Sequence, residues 1–589
     1  MISEYRLGKY AFRLEHENAG MQARFRTSSE GAEIAKDDFL VLEAEFSFEK
    51  PTCPEKVQLN FSVQIGEIGG IWSQQAGLNR NLPPDWGKAH FAARSSSGLP
   101  LLSLISAGDK NLLTAYLQDC QTPCAVSAGY CEETNEAEIG VTFFAGLVQP
   151  LKSYKTRIYY DFSRRFFGDC VKEAIRCYEK EIPPAFVPPA AKDTVFSTWY
   201  CYHQNLKAER LIADCKEVKR LGIDTVIIDD GWQTSDSSRG YGYCGDYTVS
   251  AEKIPDMREL TEALHGIGMR VMLWYSVSFL GDFAKITPRL KNKTLYHNDG
   301  SSCYVLDPRY VEVRRHIIKS CKKAVELWNF DGLKLDFIDA FALANSEVPA
   351  GTDCKTLEEG IKKLSESLSK ELKSVNPDVL IEFRQGYVGP VMRSLCNMIR
   401  VGDCPGSMLI NRTGIVDLRL TSGNTAVHCD PLTWSKNASA EEVGRCFANV
   451  IFSVAQISVA PTEMNEEQKA VTAYYTAFMK KYKKVLLESE FGFKGALFNY
   501  TEVYAYDDTV KIMGVYAGET VRLEKPVEII VNGTEENFVV SDCAAEYTYE
   551  TYDARGEKQS EGSINRIEKI AVPSGGIAAF LRKRQGANK

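Results

Sequence analysis

The chain has 589 residues, of which 44% are hydrophobic and 25% are charged, as in an ordinary globular protein. This composition excludes disordered and fibrous architectures, and the length suffices for more than one buried core. The 70 lysines and arginines against 78 aspartates and glutamates give a net charge of −8, which offers no chain-wide positive field for nucleic acid.

The first residues and the cysteines indicate the compartment. The amino terminus lacks the apolar segment and cleavage site of a signal peptide, and no run of about 18 apolar residues occurs. The 17 cysteines form no CxxC pair and have no histidines at zinc spacing, so we expect buried reduced thiols. The sequence therefore predicts a soluble, cytoplasmic protein with no cofactor, no metal, and no membrane or nucleic-acid partner.

The amino-terminal third has the pattern of an antiparallel β-sandwich. Within residues 1–182, apolar and polar residues alternate in short runs that Gly, Pro and Asn interrupt. Residues 183–192, PPAFVPPAAK, contain four prolines and are expected to form a linker without regular structure. The alternating runs are 39–50, 56–66 and 136–148.

Residues 193–485 alternate short apolar runs with amphipathic segments, which predicts a parallel sheet covered by helices. Segments 207–222 and 310–328 are the clearest helices. Eight strand candidates in this length match a (β/α)₈ TIM barrel, and residues 486–589 return to alternation, as expected of a smaller carboxyl-terminal β-sandwich. The strand candidates are 194–200, 224–229, 269–275, 332–337, 378–383, 398–402, 425–429 and 453–460.

In such a barrel the chemistry is carried out at the carboxyl ends of the strands, and the residues there are acidic and aromatic. The candidates in chain order are Trp199, Tyr200, Asp229, Asp230, Trp232, Trp274, Lys334, Asp336, Glu382, Arg384, Arg400 and Asp403.

The fourth strand, in GLKLDFID, places Lys334 and Asp336 on the same inward face, because side chains alternate along a strand. A nearby cation keeps a carboxylate ionised, and an ionised, positioned aspartate can act as a nucleophile. A purely structural Lys–Asp pair is the rival interpretation.

Glycoside hydrolysis needs a second carboxyl group. Asp403 is preferred, because it follows a strand in a turn bounded by Gly and Pro, with Arg400 close in sequence. Glu382 is the competitor, although a glutamate beside Arg384 is also consistent with an ion pair lining the barrel.

The motif IIDDGWQ joins Asp229 and Asp230 to Trp232, and such groups suit a sugar. Carboxylates accept hydrogen bonds from paired hydroxyls, and an aromatic face packs on the apolar side of the ring. Taken alone, the motif is equally well explained by a DG turn that closes a strand. The sugar-binding interpretation depends on the co-occurrence of these residues with the other strand-end aromatics.

Two further motifs are interpreted without a catalytic role. The segment GYGYCG at 240–245 follows no strand and precedes no helix, so it is interpreted as a flexible lid rather than a dinucleotide site. His428 and Asp430, in HCDP, are expected to have structural roles at a strand end.

In combination, IIDDGWQ, LDPRYVEVRRHI followed by GLKLDF, and IRVGD resemble the retaining α-galactosidases of glycoside hydrolase family 36. The resemblance implies a large amino-terminal sandwich, a barrel and a carboxyl-terminal sandwich. It implies that Asp336 is the nucleophile and Asp403 the acid/base. Residues implied to bind or surround the sugar are Lys334, Asp229, Asp230, Arg400, Trp199, Tyr200, Trp232 and Trp274, with Arg384 as a further candidate.

The resemblance also implies that an amino-terminal aromatic can reach a neighbouring subunit's site in a homo-oligomer, and Trp72 is the candidate. Two departures from the family pattern occur. The spacing from Arg400 to Asp403 is one residue tighter than in some members. In addition, FRQGY at 383–387 stands where many members have a Cys/Gly-rich turn that reads the sugar 2-position.

We therefore hypothesise that the protein is a retaining exo-α-glycosidase that acts on an oligosaccharide or other glycoside. Among such enzymes, the residues favour an α-galactosidase. Alternatives within the enzyme class are an α-N-acetylgalactosaminidase, a β-L-arabinopyranosidase and a galactosyl transferase of the raffinose-synthase kind. Non-enzymatic alternatives are an inactive sugar-binding barrel and, last, a scaffold that uses the sandwiches for docking.

Overall fold

The computed structural model describes residues 1–7, 10–28, 38–384 and 386–583. It confirms the expected fold class: a central barrel of eight parallel strands lies between an antiparallel amino-terminal sandwich and a smaller carboxyl-terminal one. In the described part of the chain, no helix combines the length and apolarity needed to cross a bilayer.

The amino-terminal sandwich consists of two six-stranded antiparallel sheets, ordered β1-β2-β5-β11-β10-β7 and β3-β4-β12-β9-β8-β6. The strands pack into a sandwich because their apolar and polar residues alternate, so that each sheet buries one face. In β4 the side chains of Leu42, Ala44, Phe46 and Phe48 are buried, and the residues between them are more exposed. A helix that the alternation did not predict, α1 (Phe167–Glu181), follows the last strand. The strands are β1 (Ile2–Leu7), β2 (Tyr10–His16), β3 (Gln22–Ser28), β4 (Phe39–Thr52), β5 (Val57–Gln64), β6 (Gly70–Trp72), β7 (Ala89–Ala93), β8 (Leu101–Ile105), β9 (Asn111–Leu117), β10 (Cys124–Cys131), β11 (Glu136–Phe143) and β12 (Leu151–Asp161).

The proline-rich segment differs slightly from expectation. It contains a single 3₁₀ turn at Pro189–Lys192, because proline is tolerated in the first turn of a helix, where no backbone donor is needed.

All eight barrel strands fall on the predicted apolar runs. The sheet order is β22-β21-β20-β19-β15-β14-β13-β23, and the bridge between His428 and Val454 brings the two edges together. The barrel elements are β13 (Val195–Ser197), α2 (Trp199–Tyr202), α3 (Ala208–Arg220), β14 (Thr225–Ile228), α4 (Met257–Gly266), β15 (Arg270–Ser276), β16 (Phe279–Gly281), α5 (Thr287–Leu290), β17 (Thr294–Asn298), β18 (Cys303–Leu306), α6 (Val311–Glu326), β19 (Gly332–Asp336), α7 (Leu357–Val375), β20 (Leu380–Arg384), α8 (Pro390–Arg393), β21 (Met398–Arg400), α9 (Met408–Thr421), β22 (Ala426–His428), α10 (Ala440–Ala448), β23 (Gln456–Ile457), α11 (Glu466–Lys481) and α12 (Lys483–Glu488).

The two faces of each barrel strand pack differently. A small inner cluster contains Ile227, Met272 and Leu380, whereas Leu333 and Leu335 belong to the large core under the helices. Since both faces are buried, the strands are almost continuously apolar until their last residues. Polar side chains therefore concentrate at the barrel mouth.

The carboxyl-terminal unit has a seven-stranded sheet, β24-β25-β26-β28-β33-β30-β31, and a three-stranded sheet, β27-β29-β32. Its strands are β24 (Glu490–Lys494), β25 (Glu502–Tyr506), β26 (Val510–Val515), β27 (Thr520–Leu523), β28 (Val527–Asn532), β29 (Phe538–Cys543), β30 (Tyr547–Tyr552), β31 (Lys558–Ile564), β32 (Glu568–Ala571) and β33 (Ile577–Arg582). All 17 cysteines lie among the described residues as unpaired thiols, and most are buried, as the sequence predicts.

A buried polar cluster joins the three units around Asp417 of α9. Arg80 donates from Nη2 to both carboxylate oxygens, at 3.0 and 2.8 Å. The Trp72 indole donates to Asp417 at 2.9 Å, and the Tyr500 hydroxyl also donates to it. Trp72 is 0% exposed, so it is committed within its own chain and does not extend towards a neighbouring subunit. The structure thus corrects the expectation for Trp72.

Replacing Arg80 by Met should destabilise the protein strongly, because Asp417 would remain buried without its counter-ion. We expect a loss of about 3–5 kcal/mol in the free energy of unfolding, measured by urea denaturation. Arg164→Met is the control, since its pair with Glu67 is largely solvent-exposed and should contribute at most about 1 kcal/mol. Equal losses in the two variants would contradict this role of the cluster.

Candidate active site

Five carboxylates from different strands surround two buried cations, in the barrel interior and at its mouth. Lys334 and Arg400 are 6% and 2% exposed, and both lie on inward faces. The carboxylates are Asp229, Asp336, Glu382, Asp403 and Asp430. In the described residues, no cluster of three or more metal-ligating side chains is arranged to hold a metal ion.

Asp336 is the last residue of β19, and its two carboxylate oxygens have unequal environments. Oδ1 accepts hydrogen bonds from the Phe337 amide at 2.9 Å, the Arg384 Nε at 2.9 Å and the Tyr387 hydroxyl at 3.0 Å. Oδ2 accepts one bond, from the Trp274 indole at 3.2 Å. Oδ2 is therefore the oxygen with free acceptor capacity.

Asp336 is held in its ionised form. Burial by itself would raise its pKa, but the charges of Arg384 and Lys334, with the hydrogen bonds from Trp274 and Phe337, lower the pKa to about 2. Arg384 thus contacts Asp336, not the neighbouring Glu382 with which the sequence paired it.

Lys334 differs from expectation in its direct partner. Its Nζ lies 2.6 Å from Oδ2 of Asp229, the residue that follows β14, and it acts on Asp336 through its field. The alternation of side chains along β19 places Lys334 and Asp336 on the same face. The twist between neighbouring strands nevertheless brings Asp229 closer to the Lys334 ammonium group.

Asp230 is held by a different set of donors. Its Oδ2 accepts from Gln204 Nε2 at 2.5 Å, and its Oδ1 accepts from the Gly231 amide at 2.7 Å. Burial, together with the charge of Asp229, raises the pKa of Asp230 to about 6 against the opposing effect of Gln204. At Gly231, where φ is 112°, a Cβ would lie 2.5 Å from the Gln204 backbone, so this approach requires glycine.

Arg400 links Asp403 to the strand that follows it. Its Nη2 donates to Asp403 at 2.8 Å, and its Nη1 donates to Asp430 and to the Val401 carbonyl. Asp430 also accepts from the Tyr200 hydroxyl at 2.9 Å. Asp430 therefore fixes both Arg400 and Tyr200, the structural role expected of it.

The Asp403 side chain is 45% exposed at the mouth. Burial opposes its ionisation, but Arg400 outweighs that effect and lowers the pKa of Asp403, with smaller contributions from Lys334 and Arg384. These last two cations also lower the pKa of Asp336.

Glu382 and His428 lie deeper, inside the barrel. Glu382 is 0% exposed and accepts from Gln456, which also contacts His428 Nδ1 at 3.2 Å, while His428 Nε2 contacts the Ala191 carbonyl at 2.8 Å. Burial raises the pKa of Glu382 and lowers that of His428 to about 4. Neither side chain reaches the mouth.

The aromatic candidates separate into two groups. Trp199 is partly exposed at the start of α2, and Trp274 is stacked against Tyr241, with ring centroids 6.3 Å apart. Trp232, in contrast, is 0% exposed and packs against Tyr275 and Trp328 beneath the helices. The expectation that Trp232 walls the pocket is thereby corrected, because the chain turns outward after Gly231.

The segment 240–245, expected to be a lid, is a series of turns over the third and fourth strands. Tyr241 places its ring 4.9 Å from that of Phe337, and the Gly240 carbonyl accepts from Gln204. In FRQGY, Gln385 lies outside the described residues.

Two contributors to the site were missed in the sequence. Tyr387 and Gln204 lie beyond strand ends, in segments with no periodicity to show which way they face. The only signal was their position in the loops that follow barrel strands, where site residues collect.

The amino-terminal sandwich contacts the loops that carry the site. Arg94 Nη2 donates to the Asp339 carbonyl at 2.6 Å, and the Gly98 amide donates to the Gly386 carbonyl at 3.0 Å. Asp339 lies three residues after Asp336, and Gly386 precedes Tyr387. This sandwich therefore supports the surroundings of Asp336 from within the same chain.

Known proteins share the fold of this chain, and one family model matches part of it. Residues 158–386 match the family model described as Melibiase. A variant of the family 36 α-galactosidase AgaA from Geobacillus stearothermophilus, in complex with raffinose, superimposes with a TM-score of 0.64 at 13% identity, over 98% of this chain and 83% of that one. An α-galactosidase from Lactobacillus brevis gives 0.61 at 14% identity, over 100% and 84%.

A relative in sequence is the "A type blood alpha-D-galactosamine galactosaminidase" of Flavonifractor plautii, 24% identical over 173 residues. That alignment spans 26% of this chain and only 15% of the relative. Together the family model and the shared fold confirm the resemblance to glycoside hydrolase family 36 indicated by the motifs.

Replacing Arg94 by Met should loosen the loops beside Asp336 without unfolding the chain, because the lost bond anchors one carbonyl. We expect faster amide hydrogen exchange in 337–341, measured by mass spectrometry, and little change in 386–389, which the Gly98 amide anchors. Lys88→Met is the control, since Lys88 pairs with Glu138 inside the sandwich. Unchanged exchange in 337–341 would refute the support that we assign to Arg94.

Proposed function

We propose that this chain, related to the melibiases through residues 158–386 and sharing the family 36 fold, is a retaining exo-α-glycosidase that hydrolyses a terminal α-galactoside or close analogue. The observation that carries the proposal is Asp336: an ionised carboxylate at the barrel mouth, with one oxygen held by three donors and the other nearly free.

Asp336 acts as the nucleophile. Oδ2 attacks the anomeric carbon, the bond to the leaving oxygen breaks, and a glycosyl ester forms. The three donors on Oδ1 fix the orientation of the carboxylate, and Arg384 and Lys334 keep it unprotonated. A nucleophile with a pKa of about 2 is ionised near neutral pH.

Asp403 acts as the acid and then as the base. It protonates the leaving oxygen, and in the second half-reaction it takes a proton from the water that hydrolyses the ester. In the free protein Arg400 lowers the pKa of Asp403, the opposite of what a general acid needs. Covering its exposed side chain with the leaving group removes water and raises that pKa.

The second strand end and the aromatic rings bind the sugar. Asp229 and Asp230 accept hydrogen bonds from hydroxyls; Lys334 holds Asp229 in place, and Gln204 holds Asp230. Trp199, Tyr200 and Trp274 line the sides of the pocket. Arg384 lies at the same rim, over the ring of Phe337.

A second candidate substrate is an α-linked 2-amino sugar. The relative from Flavonifractor plautii is named a galactosaminidase, and FRQGY occupies the turn implied to read the 2-position. Beside that turn, the Asp339 carboxylate is 36% exposed and suits an ammonium group. Its long contact with Arg384, 4.0 Å, leaves it available.

Assays on α-linked nitrophenyl galactose, galactosamine and N-acetylgalactosamine separate these candidates. A galactosidase prefers the first, and Asp339→Asn leaves that preference unchanged. A galactosaminidase prefers the second and loses it in Asp339→Asn. Binding of galactose without hydrolysis of any of these would overturn the enzymatic proposal in favour of a sugar-binding barrel.

Asp336→Gly should reduce turnover by several orders of magnitude, because the attacking oxygen is removed. Azide should then enter the vacated space, attack the anomeric carbon and release the protonated nitrophenol, giving a glycosyl azide of inverted configuration. NMR spectroscopy of the product measures that configuration. Asp299→Gly, at an exposed position, is the control, and retained activity without azide in Asp336→Gly would disprove the assignment.

The acid limb of kcat/KM should reflect Asp230 and not Asp336. Below about pH 6 Asp230 is protonated in the free protein and loses acceptor capacity, so kcat/KM should fall as the pH drops through that value. Asp230→Asn should have lower kcat/KM and lack this limb. A limb near pH 6 that persists in this variant would assign it to another group.

A further inference from the structure

A second cavity lies at the opposite end of the barrel from the candidate active site. It has a volume of about 560 Å³, and its wall includes Asn424, Thr425 and Ala426, where β22 begins. Residues of α1, α9 and β24 complete it, so all three units of the fold contribute. The family motifs and the proposed hydrolysis use none of these residues.

Three cationic side chains on this wall form no ion pair within the described residues. Lys172 donates from Nζ to the Phe491 carbonyl at 2.9 Å. Arg419 donates from Nη1 to the carbonyls of Phe452 and Leu486, both at 2.8 Å, and packs over the Phe491 ring. Arg176 is exposed at the rim.

The carboxylates on the wall are mostly engaged elsewhere. Glu179 accepts from Arg393, and Glu488 pairs with Lys192 at 2.7 Å. Glu490 is exposed at the edge of the cavity. Asp169 lies on the protein surface, and its charge raises the pKa of Lys172. The inner wall therefore carries an excess of positive charge.

Burial makes the charged form of both inner cations less favourable. It lowers the pKa of Lys172; the charges of Asp169 and Glu490 oppose this effect, and the smaller influences of Arg419 and Arg176 add to it. Burial alone lowers the pKa of Arg419 to about 10. A partly buried cation without a counter-ion is unfavourable, and an anion that entered the cavity would relieve it.

We propose that this cavity binds a phosphate monoester of sugar size, with the phosphate against Lys172, Arg176 and Arg419. The negative charge of a phosphate complements the excess of cationic side chains. A guanidinium group can donate two parallel hydrogen bonds to two phosphate oxygens. The volume lies within the roughly 300–1,000 Å³ of small-molecule sites, larger than free phosphate needs. Asn424 and Thr425 supply partners for hydroxyls beyond the phosphate.

The test is isothermal titration calorimetry of the full chain with glucose 6-phosphate, inorganic phosphate and glucose as three separate probes. We expect glucose 6-phosphate to bind more tightly than inorganic phosphate, and glucose not to bind at this site. Arg176→Gln and Lys172→Met should each weaken the ester by about tenfold, since each removes one charge-assisted contact.

The matched control is Arg220→Gln combined with Lys362→Met, which removes two exposed cations far from the cavity and should leave the affinity unchanged. Circular dichroism verifies that each variant is folded. The proposal is overturned if the ester does not bind, if inorganic phosphate binds as tightly as the ester, or if Arg176→Gln has no effect. Since the readout is binding, failure here leaves the proposed hydrolysis untouched.

Discussion

The site depends on two buried cations, Lys334 and Arg400, placed on the inward faces of β19 and β21. Carboxylates would repel one another if they were crowded at a barrel mouth without them. Lys334 holds Asp229, and Arg400 holds Asp403 and Asp430. Neither cation could be buried alone, because an isolated charge in a dry interior is far less stable than one in water. Each therefore requires its carboxylates as much as they require it.

This arrangement also gives the carboxyl groups different pKa values. Asp336, next to Arg384, has its pKa lowered to about 2, whereas Asp230, beside another carboxylate and away from any direct cation, has its pKa raised to about 6. Glu382 is buried deeper and its pKa is raised as well. Chemically identical groups within one barrel thus differ in charge state because of distance to a cation and access to water.

The outer units contribute to the site through rigid contacts. The cluster around Asp417 joins the two sandwiches to α9, and Arg94 and Gly98 anchor the loops after β19 and β20. Loops beyond strand ends have few hydrogen bonds of their own, so such external anchors limit their motion. The amino-terminal sandwich is therefore part of the architecture of the site, although its own side chains are not at the centre.

Much of the fold could be predicted from the sequence. Apolar runs and amphipathic segments located all eight barrel strands, and parity placed Lys334 and Asp336 on one face, because strand periodicity is local. The Arg400–Asp403 contact, local in sequence, was expected. The partners of Lys334 and Arg384 on other strands were beyond prediction: Lys334 contacts Asp229, and Arg384 contacts Asp336.

Local sequence patterns also did not show the direction of two side chains beyond strand ends. Trp232 points away from the barrel mouth and packs under the helices, whereas Tyr387 points into the site and contacts Asp336. Strand-end residues leave the periodic backbone, so their direction depends on turns, on the twist between strands and on what packs above them. The sequence by itself determined which residues lie on or just beyond the strand ends at the barrel mouth, because strand periodicity is local. Only the tertiary structure decided which of them meet, because ion pairs between strands are set by distances that no local pattern encodes.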